Sequence, residues 1–168
     1  MLKKFKKAFT LIELLIVIGI MAVIAAGVVA LIDPVEKTKQ ANDANMQTIV
    51  GQYATAMQSS AAQDTGGNYP QPVAAPGNSY DVFVNNGELK SAPTVPTSNP
   101  AYVMGYAVNA SPATVAVFYS SLNAKKHTSK CTAGQGTFWF YATGNGKACG
   151  VCTANPTTYP GTGTACGW

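Results

Sequence analysis

Glu13 is the first residue whose chemistry needs an explanation, because a long apolar run begins directly after it. Nineteen apolar residues, from Leu14 to Ile32, follow without interruption. A charged side chain at the centre of a bilayer costs about 2.5–3.5 kcal/mol even on lenient scales. We therefore expect an interaction that offsets the cost of this carboxylate. The amide groups and dipole of its own first helical turn are one candidate.

The cysteines form the second group with chemical potential, and all four lie in the last 38 residues: Cys131, Cys149, Cys152 and Cys166. A thioredoxin-like C-x-x-C pair should open a helix, but Gly, Thr and Pro surround Cys149 and Cys152. A zinc site prefers two C-x-x-C pairs, and Cys131 and Cys166 stand alone. We therefore expect structural disulfides, which persist outside the cytoplasm. Three pairings are possible, and we favour Cys131–Cys149 with Cys152–Cys166.

Other reactive groups are sparse. His127 is the only histidine, so no histidine-based metal cluster or catalytic dyad exists. Asp81 and Glu88 offer too few oxygen ligands to argue a calcium site. No phosphate-binding loop is present. The sequence therefore predicts no catalytic residues, no cofactor and no metal.

A basic group near aromatic residues is a weak candidate for DNA contact. It comprises Lys125, Lys126 and Lys130, near Tyr119, Phe138 and Trp139. Lysines bind phosphates without sequence preference. The alternative is a solvated loop beside a packed strand, which we prefer.

The elements that position these residues begin with a membrane helix. Residues 1–8, MLKKFKKA, are basic, and the following apolar run makes about 28 Å of helix, close to the ~30 Å hydrocarbon core of a bilayer. The lysines precede the helix, so the positive-inside rule places the N-terminus in the cytoplasm and the remainder outside. A secretory signal is the alternative, but the apolar stretch is long for one and the helical pattern continues beyond it.

An amphipathic helix is predicted after the membrane segment, with a kink at Pro34. Three- and four-residue spacings place one apolar face on it. The helix should end near Ala62, before the turn-forming DTGGNYP, so one helix is expected from Phe9 to Ala62. The residues of this face are Val35, Met46, Ile49, Val50, Tyr53 and Met57.

A small antiparallel sheet is predicted in the remaining chain. Residues 63–100 are rich in Gly, Pro, Asn and Ser, with one short helix or strand at SYDVFV. Three β-candidates rich in Tyr, Val and Phe follow at 101–109, 113–122 and 137–144. The last 25 residues are expected to be irregular and stapled by disulfides. The predicted class is α+β, with a leader (1–8), a transmembrane and assembly helix (9–33), its amphipathic half (34–62) and a β-sheet head (63–168).

Charge divides unevenly along the chain. Residues 9–89 hold two lysines and seven acidic residues, whereas residues 90–168 hold five lysines and no acid. Such a division suits subunits stacked head to stem, or a mildly basic outer face. Scattered solvated lysines are the simpler interpretation, and we favour it.

The first 32 residues strongly resemble a type IV prepilin: a short basic leader, a small residue, then FTLIE and a long apolar run. The resemblance implies that an inner-membrane prepilin peptidase cuts between Ala8 and Phe9 and methylates the new amine of Phe9. It also implies that Glu13 pairs with the Phe9 ammonium of a neighbouring subunit and sets the stagger of the helices. The family usually has Gly before the Phe, and this chain has Ala8, a small residue also known in the family.

The implied function is a structural subunit of a type IV pilus, serving adhesion, twitching motility or DNA uptake. The implied partners are other copies in a helical filament, the peptidase, the inner-membrane assembly machinery and, before assembly, membrane lipid. A pseudopilin of a type II secretion system is the alternative, although its main subunits commonly carry a calcium-binding C-terminal loop, and no acid follows Glu88 here. A single-pass membrane-anchored enzyme or binding domain is a third class, which leaves Glu13 and the leader unexplained. The expected location is the bacterial inner membrane and then an extracellular filament.

Overall fold

The computed structural model describes residues 9–74, 78–98, 100–109, 113–154, 156 and 166–168. The chain divides into two compact units, Met1–Val35 and Glu36–Trp168. The second unit comprises nearly all of the amphipathic helix together with the predicted β-sheet head, and the whole unit is called the head below. The α+β class expected from the sequence is confirmed: a long N-terminal apolar helix, an antiparallel sheet and disulfides near the C-terminus.

Two helices occupy the segment in which one kinked helix was expected. Helix α1 spans Leu11–Leu31 and helix α2 spans Pro34–Gln63. Ile32, which caps α1, has extended backbone with φ −97° and ψ 121°. Proline lacks an amide N–H and disfavours helical backbone in the residue before it, so Pro34 fits the first position of a new helix. The expected kink is therefore a complete interruption of the helix.

The sheet has four antiparallel strands in the order β1-β2-β3-β4. Strands β1 (Met104–Val108), β2 (Ala116–Ser121) and β3 (Gly136–Ala142) lie within the three predicted segments. Strand β4 (Lys147–Thr153) lies where irregular chain was expected, so that prediction was wrong in this stretch. The tight turn before it contains Gly146 with φ +61°, a conformation that glycine adopts without strain. Pairing with the aromatic-rich β3, from Gly136↔Thr153 to Ala142↔Lys147, then imposes the extended conformation.

Two short helices complete the described elements. Helix α3 (Val82–Asn85) forms from the SYDVFV segment, and its residues Val82 and Phe83 are buried. Helix α4 (Lys125–Thr128) occupies the basic segment that was expected to be a loop. Its backbone is fixed by carboxylates of α2, as described below.

The main core lies between α2 and one face of the sheet. The predicted apolar face of α2 is confirmed for Met46, Ile49, Val50, Tyr53 and Met57, which are all buried. The prediction for Val35 was wrong: its side chain is 63% exposed. The ring of Tyr53 stacks on Phe118 of β2 with centroids 4.1 Å apart and meets Phe83 of α3 edge-on. Further core members include Tyr80, Tyr102, Tyr106, Ala116 and Tyr141.

The opposite face of the sheet carries a second buried cluster. Successive residues of a strand point to opposite faces, so β2 and β3 supply both clusters. The members of this second cluster are Val117, Tyr119, Phe138, Phe140 and Val151. Tyr119 and Phe138 are therefore buried on the face opposite Trp139, which packs against the main core. This separation removes Tyr119 and Phe138 from the predicted DNA-contacting group. Contact of Lys125, Lys126 and Lys130 with DNA stays a prediction.

Candidate processing and assembly site

Helix α1 is apolar on every side. Leu11–Val29 is long and apolar enough to cross a membrane, and it is the one such helix among the residues that the structure describes. Its described side chains are exposed, including Leu14, Ile18 and Ile24 at 58%, 58% and 60%. Apolar surface on this scale is stable only when lipid or other protein covers it.

Glu13 and Thr10 close the N-terminal end of α1 through a capping box. The Thr10 side chain accepts a hydrogen bond from Glu13 N at 3.3 Å. Oε2 of Glu13 in turn accepts bonds from Thr10 N at 3.0 Å and from Thr10 Oγ1 at 2.8 Å. This arrangement satisfies two amides that a helix start leaves unpaired, and it places a negative charge at the positive end of the helix dipole. In the single chain, the first-turn groups therefore provide an interaction that offsets the cost of Glu13.

Phe9 lies directly before this capping box. Its side chain is 78% exposed. Ala8, the other residue of the predicted cleavage site, lies outside the described residues, as do the four leader lysines. Cleavage, methylation of Phe9 and pairing of Glu13 with a neighbouring amine stay predictions.

Asp43 joins α2 to the sheet side of the head, and sequence reasoning did not single it out. Its side chain is completely buried. Oδ1 accepts hydrogen bonds from the Tyr102 hydroxyl at 2.6 Å and from Asn123 N at 2.8 Å, and Oδ2 accepts one from Ala124 N at 2.9 Å. A buried carboxylate is tolerated when several donors replace its hydration. The sequence did carry a signal, since Asp43 lies three residues before Met46 and so falls on the apolar face of α2.

A second carboxylate of α2 completes the support of α4. Oε1 of Glu36 accepts a hydrogen bond from Lys125 N at 2.7 Å. Together with the bonds from Asn123 N and Ala124 N to Asp43, it satisfies three consecutive amides where α4 begins. These bonds hold the start of α4, which carries the exposed side chains of Lys125 and Lys126.

Trp168, the last residue, packs against α4 and β4. Its ring stacks on His127 with centroids 5.0 Å apart, and the Lys130 ammonium lies 4.1 Å above the ring. Its carbonyl accepts a bond from Gly150 N at 3.0 Å, and Gly167 N donates to the Gly150 carbonyl at 2.9 Å. A Cβ on Gly150 would overlap the Trp168 ring, so this contact requires glycine. The C-terminal residues thus pair with the outer edge of β4, which would otherwise leave backbone groups unpaired.

His127 is buried between Trp168 and Asp43. Its Nε2 lies 3.8 Å from Oδ2 of Asp43, which is too far for a hydrogen bond. Burial lowers the pKa of His127 below its ordinary value of 6.5, and the nearby Lys126 and Lys130 lower it further, against the opposing effect of Asp43. The imidazole is therefore neutral at pH 7.

All four cysteines form disulfides, but the favoured pairing was wrong. Cys131 pairs with Cys152, and Cys149 pairs with Cys166. Cys149 and Cys152 are three residues apart on β4, so their side chains lie on opposite faces of the sheet. Cys149 packs against the second cluster, whereas Thr137, the partner of Cys152 across the strands, donates a hydrogen bond to Cys131 Sγ. Cys152 therefore lies on the same face of the sheet as Cys131, whereas Cys149 lies on the opposite face and pairs with Cys166.

Comparison with known proteins identifies the N-terminal part of the chain. Residues 3–29 match the prokaryotic N-terminal methylation motif, which is the leader signature of type IV pilins and pseudopilins. No curated protein and no solved structure matches the chain. The motif covers residues 3–8 of the predicted leader, Phe9, the capping box and most of α1, and it stops before the head.

Proposed function

We propose that this chain is a structural subunit of a type IV pilus. The observation that carries the proposal is that the methylation motif includes most of an apolar helix whose described side chains are exposed. Motif and helix together support a type IV pilin or pseudopilin. The subunit is made with a leader, cut between Ala8 and Phe9, methylated at Phe9 and assembled with its copies.

The proposal gives α1 two successive environments. Lipid of the inner membrane covers it before assembly, and α1 helices of other copies cover it in the filament. Small residues at Gly19, Ala22 and Ala26 let such helices approach closely. The Phe9 ammonium of one subunit then meets Glu13 of another. Removing one partner of a buried ion pair costs about 3–5 kcal/mol, so this contact is selective for the correct stagger.

The head adds support for an extracellular location. Both disulfides lie in it, and disulfides persist outside the cytoplasm. With the leader lysines held in the cytoplasm, the chain crosses the inner membrane once and the head lies outside. The role of the chain is structural, and it involves no catalytic step.

The same motif also occurs in pseudopilins of type II secretion systems, which form the second candidate. The absence of any acidic residue after Glu88 favours the pilus over a main pseudopilin with a calcium-binding C-terminal loop. A membrane-anchored enzyme or binding domain is disfavoured because it gives the leader and Glu13 no role.

Shearing of surface filaments from cells that express the chain tests the proposal. The mature chain should be recovered in the sheared fraction, and electron microscopy with an antibody against the head should label filaments along their length. A matched strain that expresses Glu13→Ala should retain the subunit in the membrane fraction. Recovery of the wild-type chain only in the membrane, with no labelled filament, would contradict the proposal.

A further inference from the structure

The described residues of the head expose little large apolar surface to other molecules. Among its described residues, Val103, at 50%, is the one large hydrophobic side chain that is exposed. Helix α1 differs fundamentally, because its apolar side chains are exposed along its length. A contact between the described surfaces of two heads therefore depends mainly on polar and charged groups, which determine how the two surfaces align and which partner is accepted.

Most lysines of the head lie at the end where α2 begins. We call this the basic end. Two contacts join α2 to the rest of the head here: Glu36 accepts from Lys125 N of α4, and the Lys39 carbonyl accepts from the hydroxyl of Tyr102, which precedes β1, at 3.3 Å. Within the head, the acidic residues of this end are Glu36 and Asp43, and both accept hydrogen bonds from backbone amides. Asp33, directly before α2, belongs to the first unit. The lysines of the basic end are Lys37, Lys39, Lys125, Lys126 and Lys130.

Two carboxylates lie at the opposite end of α2, which we call the acidic end. Glu88 accepts a hydrogen bond from Gln63 Nε2, on the last residue of α2, at 2.7 Å. Asp64 follows Gln63 and accepts bonds from Gly66 N at 3.0 Å and Asn68 N at 2.9 Å. Both carboxylates are therefore held in place, and hydrogen bonding lowers the pKa of Asp64. Lys90, two residues after Glu88, is the lysine nearest to them in sequence.

The two ends form a head-to-tail pair of surfaces. Residues 36 and 63 are separated by about 40 Å of helix, which exceeds the ~10 Å Debye length at 0.1 M salt several times. The opposite charges therefore interact little within one head. A contact between two different patches on identical subunits is heterologous, and when its rotation does not close, it generates an open helical filament.

We propose that the basic end of one head docks on the acidic end of a second copy of this chain. The inference rests on the proposed function, since it concerns contacts between subunits of one filament. Charge complementarity selects the occupant: the second copy presents the hydrogen-bonded carboxylates of Asp64 and Glu88 to the lysines of α4 and of the start of α2. The Glu13–Phe9 pair sets the stagger of the α1 helices, and the charged ends specify how successive heads align.

Charge exchange in the full-length chain tests this contact. Lys126→Glu and Glu88→Lys each reverse one exposed or half-buried charge outside the Asp43 contacts. Each variant should weaken the contact about tenfold, because like charges then face each other. Two measured quantities should fall as a result: the filament yield and the NaCl concentration at which filaments dissociate. The double variant restores opposite charges and should recover both quantities. Lys147→Glu, an exposed lysine at the start of β4, is the matched control and should assemble like the wild type.

The outcomes separate this inference from the proposed function. If the wild-type chain forms no filament, the proposed function fails. If wild-type filaments form but both single variants assemble and resist NaCl normally, or if the double variant fails to recover, the inference alone is overturned. Protease resistance of the unreduced head in each variant shows that folding is intact. Wild-type filaments whose dissociation is insensitive to NaCl would also overturn the inference, without any substitution.

Discussion

The hydroxyl of Thr10 lies 2.8 Å from Oε2 of Glu13, so one carboxylate both begins a helix and carries the single charge of an apolar segment. These two roles depend on different properties of the side chain. Capping requires a hydrogen-bond acceptor and tolerates glutamine at this position. Pairing with an ammonium group of another subunit requires the negative charge. The roles can therefore be separated by substitution.

Glu13→Gln should abolish or greatly reduce filament formation while the chain still inserts in the membrane, because it retains the capping bonds and loses the charge. Thr10→Ala should cost the helix start about 1 kcal/mol and still allow assembly. Sheared filament and membrane-bound subunit are measured for both variants. Wild-type amounts of filament from Glu13→Gln would refute the pairing of Glu13 with an amine.

Asp43→Ala should destabilise the head by about 3 kcal/mol, because it leaves several buried donors without an acceptor. The affected donors are Tyr102, Asn123 N and Ala124 N. Denaturant unfolding of the detergent-solubilised chain, followed by fluorescence, measures the change. Glu88→Ala removes one surface hydrogen bond and serves as the control, with a change below about 1 kcal/mol. Equal stability of the two variants would show that the Asp43 contacts are not important for the head.

Stability of the head should fall as the pH decreases through about 6.5, the ordinary pKa of histidine. The pKa of His127 is lower in the folded head, so the unfolded chain binds more protons in this window. Stability consequently rises with pH until His127 is neutral in both states. Denaturant unfolding at several pH values from neutral to mildly acidic measures the slope. His127→Gln should reduce this slope, and an unchanged slope would assign it to other groups.

The disulfides should be found between Cys131 and Cys152 and between Cys149 and Cys166. Peptide mapping of the unreduced protein identifies the pairs when the chain is cleaved between Gly150 and Val151, which places Cys149 and Cys152 on separate peptides. Thiol labelling of the denatured, unreduced protein should find no reactive thiol. Loss of either bond should cost about 3 kcal/mol, as expected for loops of this size. Peptides that join Cys131 to Cys149, or four reactive thiols with one zinc per chain, would contradict this arrangement.

Much of the helical part could be predicted because its signals are local. The apolar run sets the length of α1, and the spacing of Met46, Val50, Tyr53 and Met57 identifies the buried face of α2. Val35 satisfies the same spacing but lies at the second position of α2, where it is exposed. Periodicity identifies a face without showing how far along the helix it is covered.

Strand β4 could not be predicted from its own residues. The stretch KACGVCT has no alternation of apolar and polar residues and little of the β-branched and aromatic character that predicts strands. Its conformation depends on pairing with β3, which is a tertiary interaction. The error in cysteine pairing follows from this omission, since recognition of β4 would have placed Cys149 and Cys152 on opposite faces.

The mass of the N-terminal peptide of the mature chain tests the central claim most directly. We predict that chain recovered from membranes or filaments begins at Phe9 and carries one added methyl group on its amine. This result would identify the chain as a substrate of a prepilin peptidase, as the motif over residues 3–29 indicates. A chain that still begins at Met1, or one cut after Ala25 or Ala30, would contradict the account.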